Sequence, residues 1–250
     1  LNRLVQNVNH LFEVYQYGEA GRQIYEFLWG EYCDWYIEAC KVRLYDEAAD
    51  TDTPRAVLLH VLATALKLLH PFMPFVTEAL WQALPATARD SEALIVARWP
   101  EADIALLDDE AEARMALLME LVRGVRNLRA EYDVTPGKRI PAVIAAGEAT
   151  LWLEEQRAVL CALAKLDAEQ LTIQQAVSPP PQSATVVVGE VVCYLPLAAL
   201  VNLDAERERL SKELADIEAR IARSEALLGS DFAHKAPAAV VQRERDKLAA

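Results

Sequence analysis

The chain has 250 residues, 53% of them hydrophobic and 25% charged, which predicts one or two packed domains with a solvated surface and excludes a disordered chain. Its most apolar stretch, Val57 to Val76, is broken by His60, Thr64, Lys67, His70 and two prolines, which excludes a membrane span. A formal net charge of −13 argues by itself against a nucleic-acid partner, but RNA affinity follows local patches of charge.

The first 135 or so residues read as helices. Leu4, Val8, Leu11 and Tyr15 recur at helical spacing. Ile24, Leu28, Tyr32, Trp35, Ala39 and Val42 do so on a second helix. A third is expected from Thr53 as N-cap with Pro54 in the first turn, along Leu58, Leu62, Leu66 and Leu69, to a stop at His70-Pro71. Pro74 opens a short helix to about Leu84, and the LIVARW segment reads as a short extended piece. A long helix follows from about Asp109 to Tyr132, with Ala111, Met115, Leu118, Val122, Val125 and Leu128 as its stripe. Short connections between such helices predict a bundle.

Thr135-Pro136-Gly137 marks a turn, after which the pattern changes. PAVIAA and QLTIQ read as strands around a helix, TLWLEEQRAVLCALAKL. The SPPP run from Ser178 is a stiff linker or loop, and ATVVVGEVVCYLPL reads as a hairpin turning at Gly189-Glu190. From Leu203, the residues Leu210, Leu214, Ile217, Ile221 and Leu228 form a heptad seam. Gly229 should stop that helix and Pro237 start another, giving an antiparallel coiled-coil hairpin whose second arm has few residues. The expected fold class is therefore mainly α: a helical bundle (1–135), a small α+β unit (136–201) and a C-terminal coiled-coil arm (202–250).

No catalytic or metal-binding constellation can be read. There is no phosphate-binding glycine loop and no nucleophile elbow. Cys33, Cys40, Cys161 and Cys193 form no C-x-x-C pair, and the four histidines are scattered. The N-terminus shows no signal-peptide pattern, so a reducing cytoplasm is the expected location. The aromatic run Tyr25, Phe27, Trp29, Tyr32, Trp35 and Tyr36 fits bundle core for most rings and base stacking for the rest. Lys41 and Arg43 follow Trp35 on the same predicted helix. Arg123, Arg126 and Arg129 share one helix face, with Lys138 and Arg139 just beyond its end; this is either a solvated, ion-paired face or a phosphate-contacting one. In the arm, Arg207, Arg209, Lys212, Arg220 and Arg223 alternate with acids, and Lys235 sits near the expected hairpin tip.

Four stretches together resemble one group of proteins. GEYCDWYIEACKVRLY and LLHPFMPFVTEALWQAL resemble anticodon-domain helices of the class I synthetases for valine, isoleucine and leucine. LPLAALVNLDAERERLSKELADIEARIARSEALL and FAHKAPAAVVQRERDKLA are similar to the C-terminal coiled-coil arm of valyl-tRNA synthetases. The resemblance implies an anticodon-binding bundle, a tRNA-gripping arm, and tRNA plus a catalytic core as partners, with no DNA partner. It implies that ATP and magnesium act in a catalytic part whose HIGH and KMSKS signatures are absent here. The chain is thus expected to be the C-terminal part of such an enzyme, inactive by itself. The alternative is an acidic helical module that binds another protein without RNA.

Overall fold

The computed structural model describes residues 1–200 and 203–228. They fall into two compact units, Leu1–Pro196 and the segment from Leu197 onward.

Helix α1 (Asn2–Glu13) buries Leu4, Val5 and Val8. Its stripe stops short of Tyr15. Tyr15 N–H donates to Phe12 O (3.2 Å) and Gln16 N–H to Leu11 O (2.8 Å), the paired bonds that close a helix through a left-handed residue. That residue is Tyr15 itself, at φ 60 and 79% exposed.

Helix α2 (Tyr17–Phe27) runs into a π-helical stretch, Leu28–Ile37, and on into α3 (Glu38–Leu44). The sequence predicts one α-helix here. The wider π turn shifts the phase, so the inward face passes through Ile24, Tyr32, Trp35 and Cys40, while Ala39 is half-buried. Tyr32 OH donates to Leu58 O (3.0 Å).

Helix α4 (Asp52–Leu69) begins earlier than Thr53 predicts. The Asp50 carboxylate accepts the backbone N–H groups of Asp52 (3.0 Å) and Thr53 (3.4 Å), so an aspartate three residues upstream supplies the cap. The helix stops at Leu69, before Pro71, as expected. Its second half buries Ala63, Ala65, Leu66 and Leu68, because two clusters claim opposite sides. Leu68 joins Leu4, Val5, Val8, Ala20 and Ile24, while Ala63 and Leu66 join Trp81, Leu84 and Leu94.

Helix α5 (Pro74–Ala83) opens on its proline. The LIVARW segment is a 3₁₀ turn, Leu94–Val96, and not extended. Leu94 plugs into the Trp81 cluster while Ile95 and Val96 stay exposed; among the described residues no neighbouring strand offers this segment a ladder. Helix α6 (Asp109–Glu131) is capped by Asp108, which accepts Ala111 N–H (2.9 Å). Arg3 on α1 ties down its start through Asp109 and Glu112. Ala111 is exposed; the buried face is Leu118, Leu121, Val122 and Val125.

The remainder of the first unit is β1 (Ile140–Ala145), α7 (Thr150–Glu155), α8 (Arg157–Ala164), β2 (Leu166–Gln174), β3 (Ser183–Val188) and β4 (Val191–Pro196). The sheet order is β2-β1-β4-β3. β1 pairs parallel with β2, which demands the helical crossover, and antiparallel with β4. Gly189, at φ 56, turns the β3–β4 hairpin. The β1–β2 register slips between Ile140 and Ala142; there Arg157 donates to Ala168 O (3.1 Å) and Leu171 O (2.8 Å).

The second unit holds α9 (Leu197–Leu200) and α10 (Leu203–Leu228). Leu214, Ile217 and Ile221 are exposed along α10 at seam spacing. The expected stop at Gly229 and second arm from Pro237 lie outside the described residues. Among those described, no helix is long and apolar enough to cross a membrane.

Candidate nucleic-acid interface

The predicted aromatic run divides by burial. Tyr32 and Trp35 are core residues, 6% and 5% exposed. Burial pushes the Tyr32 and Tyr36 hydroxyls up to about 12. Tyr25 and Trp29, one helical turn apart, are exposed with ring centroids 6.3 Å apart. Trp35 therefore offers no free face to a base. Its ring instead supports two cations: the Arg123 and Arg126 guanidinium carbons lie 5.1 and 5.3 Å from its centroid.

The predicted basic residues separate in the same way. Lys41 is paired with Glu38 (2.5 Å), which holds its ammonium above the usual lysine range, and Arg43 with Asp50 (3.3 Å). Arg123 and Arg126 are exposed, and Arg126 Nε donates to Leu163 O (3.0 Å). Arg129 does not join that surface. It is 6% exposed, with Nη2 on Thr135 O (3.1 Å) and Pro136 O (3.4 Å) and Nη1 on Lys165 O (3.4 Å). Burial pulls its ionisation below the usual arginine range. Three-residue spacing turns successive side chains by about 60°, since a helix advances about 100° per residue. Arg129 thus rotates off the outward face and into the turn that ends α6. Lys138 and Arg139 are exposed just beyond, and Arg139 Nη1 donates to Leu166 O (3.1 Å). On α10, Lys212 and Arg223 are exposed. The side chains of Arg207 and Arg220, together with Lys235, lie outside the described residues.

A cleft of ≈ 670 Å³ opens between the π-helical stretch, α6 and the end of α8. Cys33, Asp34, Trp35, Arg123, Arg126 and Lys165 are among its lining residues. Lys165 was not expected from the sequence; it ends α8 in the left-handed region, at φ 56.

A second surface also escaped the periodicity. Phe12 meets Tyr17, Phe72 and Trp99 at centroid distances of 5.2, 5.9 and 5.3 Å, and Tyr15 meets Tyr17 edge-on at 6.2 Å. Tyr15, Tyr17, Phe72 and Trp99 are all exposed. Trp99 Nε1 donates to Asn9 Oδ1 (2.7 Å), which fixes its ring. These rings come from both ends of the first hundred residues, so no local pattern gathers them. The Y-Q-Y-G run at the end of α1 is the one local sign. Among the described residues, no three histidine, cysteine or carboxylate side chains gather as metal ligands.

Residues 1–144 match the family model described as the anticodon-binding domain of tRNA ligase, and residues 202–250 match that of the valyl tRNA synthetase tRNA binding arm. The chain is similar to valine–tRNA ligase of Carboxydothermus hydrogenoformans, with 42% identity over 253 residues that cover 100% of this chain and 28% of that protein. It is 42% identical over 258 residues to the Bacillus cereus valine–tRNA ligase and 39% identical over 250 to that of Thermotoga maritima, each covering 99% of this chain and 28% of the relative. The chain therefore spans 28% of the length of these relatives.

Proposed function

This chain belongs to the anticodon-binding domain family of tRNA ligases, and on that premise we propose that it binds valine tRNA on behalf of a valine–tRNA ligase. The first unit reads the anticodon loop and the arm that begins on α10 holds the outer corner of the tRNA. Attachment of valine, with its ATP and magnesium, belongs to the catalytic part of such a ligase, which works in the cytoplasm and is the chain's protein partner.

One observation carries the anticodon assignment: the conformation of Tyr15. A bulky residue in the left-handed region costs about 1–2 kcal/mol, and glycine is the usual occupant of that turn. Tyr15 holds the position while presenting its ring to solvent, 79% exposed. Backbone strain of this kind gathers at functional sites. An exposed ring in company with Tyr17 and Trp99 is a platform for unpaired bases, which stack on aromatic faces when a loop is splayed open. The exposed cations, Arg123, Arg126, Lys138 and Arg139 on the first unit and Lys212 and Arg223 on the arm, set orientation through phosphates.

Removing residues 203–250 tests the division of labour. The shortened chain should lose affinity for whole tRNA and keep its affinity for an isolated anticodon stem-loop. Equal losses for both would contradict it. Salt-insensitive self-association without RNA binding would favour a protein-binding module instead.

A further inference from the structure

The cleft beside Trp35 has an unusual charge arrangement for so acidic a chain. Arg123, Arg126 and Lys165 line it, and none of the three forms an ion pair among the described residues. Of the two carboxylates that also line it, Glu38 is held by Lys41 at 2.5 Å, which leaves Asp34. Two guanidiniums gathered over one ring repel each other, and the negative face of the indole offsets part of that repulsion. A bound anion would offset the rest.

We propose that this cleft binds one phosphodiester of an RNA backbone, with Arg123, Arg126 and Lys165 contacting it and Trp35 acting as a positioning residue through the two arginines. The proposal rests on the tRNA-binding reading and gives it a specific subsite. Arginine suits the task because its planar fork of donors matches phosphate oxygens. The Nε bond from Arg126 to Leu163 O (3.0 Å) fixes one edge of that guanidinium and leaves its two terminal nitrogens for a ligand. The Trp35 ring, itself buried, restrains both side chains before RNA arrives, so less rotamer freedom is lost on binding. A phosphate carries no base identity, so this cleft supplies affinity and orientation and not the choice of tRNA. Cys33, half-buried in the same cleft, reports on its occupancy.

The test uses the full 250-residue chain with valine tRNA and a non-cognate tRNA, across a salt series. The double variant R123Q/R126Q should weaken both tRNAs by about the same factor, roughly tenfold at low salt, and lower the slope of log affinity against log salt by about 0.7–0.9. Lys165→Asn, which removes the charge with a residue that tolerates the left-handed region, should act in the same direction. Trp35→Phe should keep most of the affinity. Trp35→Leu should weaken binding in the parent chain and add nothing in the R123Q/R126Q background; a merely structural tryptophan would weaken both backgrounds alike. Bound tRNA should slow alkylation of Cys33. If the parent chain binds tRNA and R123Q/R126Q keeps the same affinity and slope, the phosphate site is overturned while the tRNA reading stands. If the parent chain binds no tRNA even at low salt, the tRNA reading fails and this site fails with it.

Discussion

Gly124 on α6 and Val186 on β3 approach so closely that a β-carbon on the glycine would overlap the Val186 Cγ1 methyl. That contact brings the long bundle helix directly onto the sheet, within one compact unit. Gly124→Ala should therefore destabilise the chain, even though alanine favours a helix by about 1 kcal/mol. Overpacking against a stiff β-branched residue costs about 1–3 kcal/mol, so after the helix gain a net loss of up to about 2 kcal/mol is expected in urea denaturation. A stabilised variant would mean that helix and sheet separate easily.

Tyr15→Gly should move stability and binding in opposite directions. Glycine removes the left-handed strain and should stabilise the first unit by up to about 1 kcal/mol, after loss of the edge-on contact with Tyr17. If the ring stacks a base, affinity for an anticodon stem-loop should fall by about 1–3 kcal/mol. Thermal denaturation and stem-loop titration of one variant give both numbers. Unchanged stem-loop affinity would remove Tyr15 from the interface.

Arg129→Met is expected to unsettle the fold and leave RNA binding intact. The substitution removes the buried guanidinium that holds the carbonyls of Thr135, Pro136 and Lys165. Hydrogen bonds to a charged group are worth about 1.5–3 kcal/mol each, though they share one guanidinium here, so a total near 3 kcal/mol is expected by chemical denaturation. Measured well below its melting temperature, the variant should bind tRNA like the parent. A binding defect at full folding would return Arg129 to the RNA surface.

The Lys67–Asp90 pair, 2.7 Å apart beside the Trp81 ring, gives a pH signature. The lysine hydrogen bond holds the Asp90 carboxyl below the usual aspartate range. A depressed carboxylate pKa contributes stability fully above the unfolded value of about 3.9, lost as pH falls through the lower folded value. Both side chains are partly exposed, so solvent screening limits the contribution to roughly 0.2–1 kcal/mol. Asp90→Asn should lose that amount near neutrality and nothing at the acid end, seen as melting curves that converge below pH 3 or so. Parallel curves at all pH values would exclude the pair as a pH-linked contact.

These relationships show which features the sequence exposes and which it hides. Long apolar periods and prolines locate α1, α4, α5 and α6, and strand alternation with Gly189 locates the hairpin. The π-helical stretch, which buries Tyr32 and Trp35, is invisible, because the apolar spacing across it continues the α-helical period and marks no wider turn. The Asp50 cap is missed because Thr53-Pro54 is a stronger local pattern than a carboxylate three positions earlier. At the candidate interface, Arg123 and Arg126 are legible from spacing. The inward turn of Arg129 depends on carbonyls at 135, 136 and 165, of which Lys165 lies 36 residues away. The Phe12, Tyr17, Phe72 and Trp99 cluster is equally non-local.

The central claim, that this chain recognises valine tRNA, is tested most directly by fluorescence-anisotropy titration of the 250-residue chain with valine tRNA and a non-cognate tRNA over a range of salt concentrations. The account predicts tighter binding of valine tRNA at every salt concentration, with both affinities falling as salt rises. Equal affinity for the two tRNAs, or no binding at low salt, would contradict it.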